Sequence, residues 1–188
     1  MLMVKYMSGF ASSLLTIIVL LGVIAIIYIV NYNNLQALRI KINEAESVID
    51  DLLRKKYDLL NTMSEMTVEK SHIPKKTFDN FSNLKDVNIS SFDLERKLTE
   101  YNNLIEKIKN DHDKLEKDED FNNSYEDLYE INEKLEAAKS FYNKYTTLLN
   151  KAIKKFPSNL IAFFHHIKVQ DYFDGKDMFD EEINDFKL

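Results

Sequence analysis

From Phe10 to Val30 nearly every residue is apolar, and beyond Leu35 apolar residues recur in alternating steps of three and four. The first pattern has no polar face, and as a helix it would span roughly 31 Å, the thickness of a bilayer core. It predicts a transmembrane helix over 10–30 after a short N-terminal segment, 1–9. A cleaved signal peptide is the competing reading. The run exceeds an ordinary signal core, however, and no A-x-A-like site follows it. The second pattern predicts amphipathic helices. Leu35, Leu38, Ile42, Ala45, Ile49, Leu52, Leu59, Met63 and Met66 mark a helix over about 31–70, with Lys56 the one break in its stripe. No proline or glycine separates Val23 from Ile73, so the membrane helix should run straight into this one.

Leu94, Leu98, Tyr101, Ile105, Ile108, His112 and Leu115 predict a second helix over about 91–117, with Ser90 and Asp93 spaced to cap its start. After an acidic reversal at 116–120, Leu128, Ile131, Leu135, Ala138, Tyr142, Tyr145, Leu149, Ala152 and Phe156 predict a third over about 123–156, stopped by Pro157. Ser158 is placed to cap a short fourth, about 158–172, whose apolar residues would cover the bundle. Between Ser71 and Ser90 the periodicity fails, and Pro74 with scattered Asn and Ser predicts an exposed connection. Residues 174–188 read as a charged tail. Short links between long helices favour antiparallel neighbours. The predicted fold is therefore all-α: a transmembrane helix continuing into an antiparallel bundle, 31–173, of three long helices and one short.

Composition sharpens this in three places. Three glycines and two prolines in 188 residues are too few for a turn-rich β protein. The absence of cysteine excludes disulfides and thiolate metal sites. The formal charge is −6, and all 31 acidic residues but only 24 of the 25 basic ones follow Val30, leaving −7 in the soluble part. A soluble part so acidic argues against nucleic-acid binding. Orientation rests on few charges: Lys5 precedes the span, and Arg39 and Lys41 follow it closely. The very short N-terminus resembles an uncleaved signal anchor, which would put the bundle outside the cytoplasm.

Two segments carry a family likeness. Asn34-Leu35, Leu38-Arg39, Ala45, Ser47, Ile49 and Asp50, then Leu53-Arg54-Lys55-Lys56-Tyr57-Asp58-Leu59-Leu60, resemble the first-helix signature of LemA-family bacterial membrane proteins. Tyr142-Asn143, Leu149-Asn150 and Phe156-Pro157-Ser158-Asn159-Leu160-Ile161-Ala162 are similar to that family's second signature. Asn61 stands where the family usually has proline, Thr146 where it has valine, and Leu149 where it has an aromatic residue. The resemblance implies a mostly four-helix bundle anchored in the bacterial cytoplasmic membrane, and it favours an extracytoplasmic bundle. It supplies no activity.

Candidate chemistry is sparse. Adjacent helical residues point about 100° apart, so His165 and His166 do not chelate one ion in the usual i, i+4 manner. His72 and His112 stand alone. Asp174-Gly175-Lys176-Asp177 lacks the carboxylates that a calcium loop needs ahead of its glycine. No catalytic or nucleotide-binding motif is present. We expect no enzyme, metal or cofactor. Arg54, Lys55 and Lys56 are the notable cations: Lys56 falls on the buried stripe and should either snorkel out or pair with a carboxylate on a neighbouring helix, or else the three form a docking patch. Asn143 and Asn150 flank the third stripe. They read as helix-pairing amides that set register, or as part of a groove for a partner segment. The expected role is a membrane-anchored scaffold that presents a bundle face to another membrane or envelope protein; the alternative is a homo-oligomeric coiled-coil element of the envelope. The Met63 and Met66 end of the first helix and the tyrosine-rich third helix are the surfaces this reading offers to a partner.

Overall fold

Without proline or glycine to break it, the first helix runs unbroken: α1 spans Leu2–Ser71 in the computed structural model, which describes residues 2–82, 84 and 89–173. His72, with φ 55°, and then Pro74 end it. The α1 helix remains unbroken at Asn61, whose amide donates to Glu65 at 3.0 Å. A 3-10 turn, Lys75–Phe78, leads into α2, Asp79–Ser82. Then come α3, Ser91–Asp111; α4, Asp113–Glu116; α5, Glu119–Ala152; and α6, Ser158–Phe164. The fold is all-α, with no strand among the described residues. The predicted charged tail, including its failed calcium loop, lies outside them.

Contacts divide the chain into two compact units, residues 2–41 with 145–170 and residues 42–144 with 171–173. In the second unit, α5 runs antiparallel to α1, since Lys70 pairs with Asp118 while Ala45 and Val48 face Ala138 and Phe141. It runs antiparallel to α3 as well, since Glu95 meets Lys139 and Lys109 lies over Tyr125. The α1 and α3 helices run in the same sense, with Ser91 bonded to Asp50 and Thr99 to Lys56. The long connection 72–90 supplies the return leg. Contrary to expectation this connection is not wholly exposed: Phe78, Phe81 and Leu84 are buried, and Phe81 lies between Tyr57 and Tyr101 at 4.8 and 4.5 Å. The three recur every third residue, a row too short and too closely set among Asn and Ser to stand out as an amphipathic helix.

Helix ends follow local chemistry. Ser90 caps α3, its Oγ accepting from the Asp93 N–H at 3.1 Å. The second predicted helix breaks at His112, which adopts extended backbone between α3 and α4. The third starts earlier than the apolar stripe suggests, because the Asp118 carboxylate accepts from the Phe121 N–H and holds the first turn. It also ends at Ala152, short of Phe156, because Pro157 disfavours helix in the residues before it. Ser158 does not cap α6; its hydroxyl donates to the Asn31 side chain at 2.8 Å instead. Nor does α6 reach 172. His166 takes φ 52°, and the bonds Ile167 N–H to Ala162 and His166 N–H to Phe163 close a Schellman motif that stops it at Phe164.

Candidate functional site

The three cations of α1 part company in the structure. Arg54 is exposed, Lys55 pairs with Asp51 one turn back at 2.7 Å, and Lys56 is only 3 % exposed. They do not make one docking patch. The Lys56 ammonium meets Thr99 Oγ1 at 3.4 Å, and no carboxylate lies within ion-pair distance of it among the described residues. The expected interhelical ion pair belongs to Lys139 instead, which meets Glu95 of α3 at 3.4 Å and Glu136 at 2.6 Å. Glu95 also accepts from Thr99, so Lys56, Thr99, Glu95, Lys139 and Glu136 form one polar network that runs from buried Lys56 out to exposed Glu136. Burial pushes the Lys56 pKa down. The negative charge of Glu95 resists that shift, while the like charge of Lys139 adds to it. Burial also depresses Lys139, but its bonds to Glu136 and Glu95 outweigh it and the net shift is upward. Phe173 roofs this network, with Lys139 5.8 Å from its ring centre and the rings of Phe92 and Tyr142 edge-on to it.

The two asparagines grip the chain itself. Asn150 is fully buried; its Nδ2 donates to the Gln170 carbonyl at 2.8 Å, and its Oδ1 accepts from the Gln170 N–H at 2.9 Å. Asn143 Oδ1 accepts from the Phe173 N–H at 2.9 Å. Seven residues of helix rise about 10.5 Å and three residues of extended chain reach roughly 10 Å, so this spacing suits an extended segment. Through these bonds the amides replace missing backbone partners of the extended residues after α6. Neither reading made from the sequence foresaw this. The signal that could have revealed it was a pair of amides seven apart on a helix, with a short stretch lacking helical period after the closing helix.

In the other unit the end of the apolar run meets α6. Tyr28 Oη bonds His165 Nε2 at 2.5 Å, and Tyr32 lies 4.6 Å from the same imidazole, ring centre to ring centre. No role for His165 is legible in sequence, because its partners are over a hundred positions away. The Thr146 hydroxyl, where the family usually has valine, is buried without a hydrogen-bond partner among the described residues. Met63, expected at a partner surface, is fully buried in the core of the second unit. Among the described residues an open apolar surface of that unit lies elsewhere, in a groove of about 490 Å³ between α1 and α5. Ala45, Ala137 and Ala138 form its small-residue floor, Val48 and Phe141 stand half exposed at its edges, and Glu44 and Lys134 flank it. Among the described residues no His, Asp and Glu side chains cluster as metal ligands would.

The most apolar stretch of α1 has a mean hydropathy of 3.0 and is wholly exposed, as a helix able to insert into a membrane would be. Neither curated proteins nor solved structures yielded a match to this chain. The LemA family model does match, over residues 45–184, most of the sequence and nearly all of the helical bundle, and the protein belongs to the LemA family.

Proposed function

We propose that this protein is a non-catalytic scaffold, held at the bacterial cell membrane by a single uncleaved span at 10–30, whose bundle receives a helix of a membrane or envelope protein. The observation that carries the reading is the groove between α1 and α5. Its alanine floor admits a close backbone approach, its rim offers apolar anchors, and its flanking charges suit a helix laid along it. Retention of the span is supported by what α6 rests on: removing residues before Asn31 would strip Tyr28 from His165 and bare the apolar face of α6.

The test is site-specific photocrosslinking from Val48 and Phe141 in native membranes. A heterologous envelope protein captured at both positions, and lost on Ala138→Arg, supports the scaffold. Capture of only a second copy of the chain supports self-association instead, and no capture at either position rejects the groove. Protease accessibility of the C-terminus in intact cells decides the side of the membrane. The mass of the membrane-extracted chain decides whether the span is retained.

A further inference from the structure

We propose that residues 151–168 form a membrane-surface element: Phe156, Phe163 and Phe164 enter the bilayer interface, and the surrounding lysines bind anionic phospholipid headgroups. This inference rests on the reading that 10–30 spans a membrane, and it assigns that same membrane a second attachment.

Three observations converge on it. The first is exposure. Phe156, Phe163 and Phe164 are 79, 76 and 71 % exposed, and Leu160 beside them is 50 % exposed. Three neighbouring phenylalanines held in the open are unusual for a surface bathed in water. The second is position. Phe156, Leu160 and Phe164 line an apolar hollow of about 530 Å³ together with Ile24 and Ile27 of the predicted span. Ile24 lies six residues before Val30, roughly 9 Å along the helix, so the hollow's floor belongs to lipid depth. The exposed aromatic surface is thus continuous with the surface that lipid would cover. Tyr28, Tyr32 and His165 meet at the same end, polar-tipped rings of the kind that settle at a headgroup boundary.

The third observation is charge. Residues 1–41 and 145–170 hold seven of the 25 basic residues and no acidic residue at all. The other 18 basic residues and all 31 acidic ones fall in the second unit, which therefore carries −13 against +7. The overall −6 conceals this separation. Lys151, Lys155 and Lys168 are exposed around α6. Cations beside inserted aromatic rings match the two signals that an interfacial element uses, apolar depth and attraction to anionic lipid. Zwitterionic lipid would satisfy the rings alone, and free phosphate would satisfy the lysines alone.

The chain contains no tryptophan, so a single Phe163→Trp substitution in the full-length protein makes a unique reporter. In nanodiscs of phosphatidylcholine and phosphatidylglycerol, its emission should be blue-shifted and quenched most by lipids brominated near the headgroup. Val19→Trp, within the span, should be quenched by deep bromines, and Tyr129→Trp, in the acidic unit, by neither. At equal mole fraction, brominated phosphatidylglycerol should quench Phe163→Trp several-fold more than brominated phosphatidylcholine. Changing Lys151, Lys155 and Lys168 to Gln should abolish that preference, and added inorganic phosphate should not. An unquenched, water-like Phe163→Trp beside a quenched Val19→Trp overturns this inference and leaves the anchor standing. An unquenched Val19→Trp overturns both. Quenching without headgroup preference overturns the lysine assignment.

Discussion

Replacing Lys56 with methionine should stabilise the protein. The side chain is 3 % exposed, and its one direct hydrogen bond among the described residues, to Thr99 Oγ1, is long at 3.4 Å. Glu95, the carboxylate that most supports its charge, is already shared with Lys139 and Thr99. Holding an ammonium there costs several kcal/mol of hydration, offset in part by Glu95 and Glu136, whereas the hydrogen bond returns about 1 kcal/mol. Methionine keeps the length of the stem, leaves the Lys139 pairs intact and removes the desolvated charge. The expected gain is about 1 kcal/mol, a rise in Tm of roughly 2–4 °C for a chain of this size. Its pH dependence is diagnostic. The folded pKa of Lys56 lies below 10.5, so between that pKa and 10.5 the unfolded chain binds more protons and the parent gains stability as pH rises. The variant lacks this gain, so its advantage should be fully present at neutral pH and shrink toward 10.5. Thermal melts of the full chain in detergent at a series of pH values would measure both effects. A variant clearly less stable at neutral pH, with a gap that does not change as pH rises, would refute the idea of a lysine buried at a cost.

Asn150→Ala should cost roughly 2–4 kcal/mol in urea unfolding, because it leaves both backbone groups of Gln170 without their buried partner, while Asn143→Ala, which removes the acceptor of the Phe173 N–H, should cost at least about 1 kcal/mol. Thr146→Val should raise stability by about 1 kcal/mol in the same assay by removing a buried hydroxyl that has no partner; a loss would mean that the hydroxyl is satisfied. The hydrogen bond from Lys70, then the Phe121 N–H, holds the Asp118 carboxyl below its usual range. Its contribution is present above 3.8 and is lost as pH falls through the depressed folded value, so in acid titrations followed by circular dichroism Asp118→Asn should flatten that part of the decline.

Much of the architecture was legible in local sequence. The buried row of α5, Phe121, Leu128, Leu135, Tyr142 and Leu149, repeats every seven residues; the last four belong to the apolar stripe, and Phe121 extends it by one heptad. Ser90 and Asp93 capped α3 as their spacing implied. Sites were far less legible. Lys56 announced itself by interrupting a stripe, yet nothing near it in sequence could say that Thr99 would meet its ammonium or that Glu95 would pair with Lys139. Asn143 and Asn150 stood out by spacing and motif, but their partners arrive only after α6 has turned the chain back.

The sequence by itself determined the helices, the apolar run of α1 and the family, because each is written in periods of a few residues or in motifs of fixed spacing. Only the tertiary structure decided which polar groups on those helices became buried, what Phe81 fills, and what His165 and the two asparagines hold. It also gathered into one unit the segments that carry no acidic residue. Those outcomes depend on pairs of residues tens to more than a hundred positions apart, and no local period records which of many compatible surfaces will meet.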